Sequence, residues 1–154
     1  MLGLEDDDNL FGNSGPDTVR GGTGSDRVSG GGDNDGLSGN SGNDHVTGGG
    51  GKDRVFGRSG DDGASGNTGD DRVSAGTGDD RAYGRSGDDG VSGNPGDDRV
   101  DGGPGNDRLF GRAGNDLIVA RDGERDIVHC GRGRDAVRAD HEDVLRGCER
   151  KFRR

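Results

Sequence analysis

Aliphatic residues recur at every ninth position of this chain, each flanked by polar or small ones, from Leu10 to Val137. In the register that opens at Gly3, nonapeptides run to 111–119; Ala120 is skipped, and two more follow at 121–129 and 130–138. The eighth place is Val, Leu, Ile or Ala in all fifteen units. Places seven to nine, such as Arg72-Val73-Ser74, form a polar–apolar–polar triplet whose centre points inward from a very short strand. Places one to six are turn-formers. Gly holds the first and the fourth place in twelve units of the fifteen, and with Asn and Ser it supplies the positive φ angles of a tight reversal. Strand and turn thus alternate every nine residues. Two units make a coil of about 18 residues, and coils stacked about 4.8 Å apart predict an all-β fold, a parallel two-sided β-roll.

A weaker period of 27 lies over the nine. The second place cycles Asn40, Gly49, Arg58, then Asn67, Gly76, Arg85, then Asn94, Gly103, Arg112. Phe56, Tyr83 and Phe110 recur in step, as do Gly36, Gly63 and Gly90. Duplication of a three-unit segment accounts for this, since solenoid arrays grow from repeated modules. The alternative is a three-sided β-helix with 27 residues per coil and an aromatic ladder. It would also stack Arg58, Arg85 and Arg112, and that repulsion opposes it.

Composition adds a condition to the fold. With 154 residues, 23% hydrophobic content, 37 glycines, no Trp and a formal charge of −10, the chain lacks the apolar surface to fold unaided. Disorder would not hold an aliphatic residue in phase fifteen times, so order must draw on an outside source of free energy. The longest apolar run, Leu117 to Ala120, is far short of the roughly 20 residues of a membrane span. No signal-like segment precedes the first repeat, so a signal already removed, or excision from a longer polypeptide, is expected. Cys130 and Cys148 bracket the end of the array, and a disulfide between them suits an oxidising compartment. It would close a loop worth roughly 3 kcal/mol. Too few Cys and His exist for a zinc site.

The outside source is legible at the sixth place, which is always Asp: Asp8, Asp17, Asp26, Asp35, Asp44, Asp53, Asp62, Asp71, Asp80, Asp89, Asp98, Asp107, Asp116, Asp126 and Asp135. Stacking brings the turns of alternate units together, so that carboxylates such as Asp62 and Asp80 face each other across a narrow gap. Like charges so placed repel unless a cation lies between them. Carboxylates and turn carbonyls are hard, irregularly disposed oxygen ligands that favour Ca²⁺ over Mg²⁺ or transition metals. Binding and folding are then coupled.

The units resemble the repeats-in-toxin (hemolysin-type) calcium-binding nonapeptide, G-G-x-G-x-D-x-U-x with U aliphatic. The resemblance covers residues 3–138 and implies a right-handed parallel β-roll that holds several calcium ions between successive turns, in proteins exported to calcium-rich surroundings. It assigns side-chain ligands to the sixth-place Asp and carbonyl ligands to the Gly-rich turn before it. Asp6 and Asp33 replace the fourth-place Gly, and unit 121–129 has Arg121 first and Glu124 fourth. Residues 130–149 resemble the C-terminal cap of many actinobacterial members, which implies a cap and tail over 139–154, with Val144 and Leu145 covering the last coil.

Arg27, Arg54, Arg72, Arg81, Arg99 and Arg108 at the seventh place form a stripe able to grip an anionic polysaccharide or to balance the acidic edges. The tail Arg150 to Arg154 is basic, but a chain of net negative charge with few aromatics is not expected to bind nucleic acid. No residue constellation points to catalysis, because no His is spaced to activate a Ser and the carboxylates are committed to metal. The expected function is a calcium-dependent structural or folding module of a secreted protein. The alternatives are a filament or surface-layer component, built from copies joined end to end through the uncapped first coil, and a polysaccharide-binding module.

Overall fold

A computed structural model describes residues 1–148 and the strand backbone of 150–152. Glu149, Arg153, Arg154 and the side chains of 150–152 lie outside the described residues, and the basic tail falls there. Among the described residues there are seventeen strands and no helix. In chain order they are β1 Asn9–Asn13, β2 Thr18–Thr23, β3 Arg27–Gly31, β4 Gly36–Ser41, β5 His45–Gly50, β6 Arg54–Ser59, β7 Gly63–Thr68, β8 Arg72–Thr77, β9 Arg81–Ser86, β10 Gly90–Pro95, β11 Arg99–Asp101, β12 Arg108–Ala113, β13 Leu117–Ala120, β14 Ile127–Arg132, β15 Ala136–Ala139, β16 Val144–Arg146 and β17 Arg150–Phe152.

Odd-numbered strands form one sheet and even-numbered strands the other. Every pairing is parallel and joins residues one coil apart: Leu10 beside Val28, Val55 beside Val73, Val73 beside Val91. The coil is therefore 18 residues and two-sided, which rules out the 27-residue coil. Its aromatic ladder does not form either. Phe56 in β6 and Phe110 in β12 share a sheet but are separated by β8 and β10, while Tyr83 in β9 lies in the other sheet. A three-unit repeat advances the chain by one and a half coils, so its copies alternate between faces.

The core is one side chain deep. Eighth-place residues from Leu10 to Val137 line it, joined by the few first-place side chains, Ala75, Ala120, Cys130 and Ala139. Ala120 corrects the reading of the insertion. It is fully buried and pairs with Ala139, so it fills the first place of the next unit instead of being skipped. The extra residue sits in the exposed turn 121–125, where Gly123, at φ 89°, takes the fourth-place role expected of Glu124. A turn absorbs a residue at little cost, whereas a slip within a strand would rotate Val128 out of the core.

Past residue 138 both sheets continue. β16 pairs with β14 and β17 with β15, and Leu145 and Cys148 pack against the core. Cys130 and Cys148 are disulfide-bonded, with Cα atoms 5.1 Å apart.

Candidate metal centre

Every nonapeptide from 12–20 to 111–119 carries two residues in the left-handed region, the second place, mostly within the end of a strand, and the fourth, in the turn. In unit 66–74 they are Asn67 at φ 82° and Gly69 at φ 122°. The fourth place was legible as glycine; the second is left-handed as well, even where Arg58, Arg85 and Arg112 occupy it, at φ 99°, 90° and 88°. Asp6 and Asp33, which replace the fourth-place glycine, keep the same conformation, at φ 73° and 74°. First-place glycine is needed for a different reason. A Cβ on Gly21 would lie 2.2 Å from Oδ2 of Asp26 and 2.6 Å from the carbonyl oxygen of Gly39, one coil further on. Without that Cβ, a carboxylate oxygen and a main-chain carbonyl converge on one small space.

The sixth-place aspartates form two files, one down each edge of the roll. Asp8, Asp26, Asp44, Asp62, Asp80, Asp98, Asp116 and Asp135 make one; Asp17, Asp35, Asp53, Asp71, Asp89, Asp107 and Asp126 make the other. Along both files the backbone N–H of one aspartate donates to Oδ1 of the aspartate in the next coil, as from Asp44 to Asp62 at 2.8 Å and from Asp62 to Asp80 at 2.7 Å. The second file gains a member the nine-residue register missed. Asp143 is buried, and its Oδ1 accepts from Asp126 N at 3.0 Å. Its signal was present in Asp143-Val144-Leu145, an Asp followed two places later by an aliphatic residue, but a shortened turn puts it out of phase.

Oδ2 of every file member from Asp17 to Asp135 is buried and has no hydrogen-bond partner. An ionised carboxylate left so would be costly. The first coil differs: Asp8 and Asp17 are only half-buried, and Oδ2 of Asp8 accepts from Leu4 N at 3.3 Å.

The RTX calcium-binding nonapeptide repeat (4 copies) matches residues 2–37, 37–64, 65–100, 92–127 and 101–137. The chain belongs to that family. No curated protein matches it.

An RTX repeat array is a calcium-binding module, and the donors found here suit a hard cation. No group of three or more His, Cys, Asp or Glu side chains among the described residues is placed to hold a metal ion. An ion on these edges must therefore draw on backbone carbonyls beside the carboxylates, and the orphaned Oδ2 atoms sit against such carbonyls. Electrostatics agrees. Burial, opposed by the backbone hydrogen bond and reinforced by neighbouring aspartates, pushes Asp62, Asp89 and Asp98 up to about 7 and Asp44 and Asp71 to about 6. A bound cation would reverse that balance.

The fifth place forms a second polar ladder running the other way. Backbone N–H of Asp79 donates to Oδ1 of Asp61, and that of Asp97 to Oδ1 of Asp79, each at 2.9 Å. These carboxylates are exposed. The seventh-place arginines are divided between the sheets: Arg54, Arg72 and Arg108 on the even one, Arg27, Arg81 and Arg99 on the odd one, where Arg99 pairs with Asp101 at 2.8 Å.

Proposed function

We propose that this chain is a non-catalytic folding module of a secreted protein, in which calcium bound along both edges supplies the free energy that the thin core lacks. The observation that carries the reading is the double file of buried carboxylates whose Oδ2 atoms have no partner. In this account the sixth-place aspartates are the side-chain ligands, and first-place carbonyls such as that of Gly39 contribute main-chain oxygen; Asp143, whose Oδ2 already accepts from Asp140 N at 2.6 Å, closes its file. Calcium is abundant outside cells, so such a module folds after export. The disulfide fits the same compartment. Circular dichroism during calcium titration tests this. The chain in chelator should be largely unfolded and should gain compact β structure at millimolar Ca²⁺ but not at equal Mg²⁺; full β structure in excess chelator would refute the coupling.

End-to-end association of copies is favoured by one observation. The exposed large hydrophobics, Met1, Leu2, Leu4 and Phe11, all belong to the first coil. Light scattering in saturating calcium checks it: Leu2→Ser/Leu4→Ser should abolish any concentration-dependent rise in mass.

A further inference from the structure

The strands of the even sheet contain no carboxylate at all, although the aspartates of one edge border them. Strands β2, β4, β6, β8, β10, β12, β14 and β16 carry eight arginines and no Asp or Glu, in a chain whose net charge is −10. All eight are exposed, and no acidic side chain among the described residues lies within salt-bridge distance of any of them. Described strands of the odd sheet carry fewer arginines, and one of those, Arg99, is neutralised by Asp101. The acidic residues have been sorted to the turn edges, where cations would neutralise them.

The cationic face is also partly ordered in advance. Arg54 and Arg72 are neighbours in register on adjacent strands. Arg58 lies over the Phe56 ring at 5.3 Å, and its Nε donates to Ser38 Oγ at 3.0 Å. Arg112 lies over Phe110 at 4.9 Å, and Phe110 stacks on His129 with centroids 5.0 Å apart. Between Arg72 and Arg108 the seventh place is Gly90, which opens a shallow groove with Arg54, Arg72, Arg108 and Arg112 on its sheet side and an acidic edge side, where the sixth-place Asp17, Asp35, Asp53, Asp71 and Asp89 and the exposed Asp70 and Asp88 lie with Lys52. Held guanidiniums lose less entropy when they bind. Adjacent unpaired ones repel until an anion bridges them.

We propose that this face binds a linear anionic polysaccharide, its carboxylate or sulfate groups pairing with Arg54, Arg72, Arg108 and Arg112. Seven strand steps give the face a length of roughly 34 Å, with guanidiniums one or two strand spacings apart across it. Arg20 at one end and Arg132 and Arg146 at the other extend the track. Nucleic acid fits less well. Phe56 and Phe110 lie under guanidiniums and offer no free ring face for a base. A lipid surface would want apolar residues beside the arginines; of the large exposed ones Leu2 adjoins Arg20 at the end of the track, and none belongs to the coils that carry Arg54, Arg72, Arg108 and Arg112.

The test uses the whole chain in saturating calcium, with dextran sulfate and hyaluronan as anionic probes, dextran as the neutral control and single-stranded DNA as the competing polyanion. Arg54→Gln/Arg72→Gln/Arg108→Gln should weaken binding at least tenfold, while Arg27→Gln/Arg81→Gln/Arg99→Gln, with the same change in charge, should leave it within twofold. In the unaltered protein, bound polymer should shield even-face arginines from phenylglyoxal. Equal weakening by both variants, absence of binding to either anionic polymer, or tighter binding to DNA would overturn the proposal. Circular dichroism with and without chelator reports the calcium dependence separately, so failure of that reading is seen independently.

Discussion

At the residue scale, the decisive group is the sixth-place carboxylate, which two opposed effects act upon. Its Oδ1 is well satisfied by a backbone N–H; its Oδ2 is buried against a carbonyl with nothing to bond. Such a carboxyl, with a folded pKa of about 7 at Asp107 and Asp126 against an ordinary 3.8, holds its proton more tightly folded than unfolded. Protonation therefore stabilises the calcium-free fold. That contribution is complete below about 3.8 and is lost as pH rises through 6 to 7 at residues such as Asp116 and Asp126. A protonated Oδ2 can donate to the facing carbonyl, which gives the effect its structural cause. In chelator, β structure should accordingly increase as pH falls from 7.5 to 5, while the calcium midpoint moves to higher concentration because protons and Ca²⁺ compete for the same oxygens. Circular dichroism at several pH values checks both directions. Which residue carries the edge was legible from its unbroken recurrence. The left-handed second place was not, since Arg58 gives no hint of positive φ, and Asp143 was hidden by a turn shortened out of phase.

At the element scale, the inward residue and its spacing of nine could be read directly, but strand length could not: places one to three, expected in the turn, continue most strands, as in Arg72–Thr77, because their glycines let the backbone of adjacent coils pair closely. The ambiguity between 18 and 27 could not be resolved by pattern alone, because both are multiples of nine and each keeps aliphatic residues inside. Pairing decides it: Val73 lies beside Val55 and Val91. Likewise the place of the insertion depends on whether a strand or a turn yields, and the turn yields because it is solvated. The last elements are held differently. β16 is three residues long, and the Cys130–Cys148 bond ties the segment after it to β14. In a solenoid, stability is a sum of local and nearest-neighbour terms, so loss of this bond should act locally. Cys130→Ser/Cys148→Ser is expected to loosen the last two coils by up to about 3 kcal/mol of loop-closure restraint. Hydrogen exchange in saturating calcium should quicken at Val128 and Val137 and stay unchanged at Val28; equal acceleration at all three would show a global role.

At the scale of the whole molecule, the roll is a slab with two acidic edges, one face whose strands carry arginine and no carboxylate, and one face that carries both. The sorting arises from the two superposed periods. Nine sends every sixth-place Asp to an edge, while 27, being one and a half coils, sends Arg58 and Arg112 to one face and Arg85 to the other. This arrangement makes phase, and not composition, the quantity that folding depends on. Deleting residues 57–74 removes one full coil and joins Phe56 at the ninth place to Ala75 at the first, so downstream units keep their sheet, their edge and their core position. Such a chain should still fold with calcium, bind two fewer ions and show a midpoint within about twofold of the parent, since only one coil's nearest-neighbour terms are lost. Deleting residues 57–68 removes less chain but shifts every later unit out of step with the coils before it. The array would then divide into two shorter stacks that cannot share an edge ion across the break. Its calcium midpoint should rise several-fold and its unfolding should show two transitions in place of one. Calcium-dependent circular dichroism and calorimetry on the two variants decide the matter: if the larger, in-phase deletion were the more damaging, stability would follow the amount of chain removed and the stacked-coil account of folding would fail.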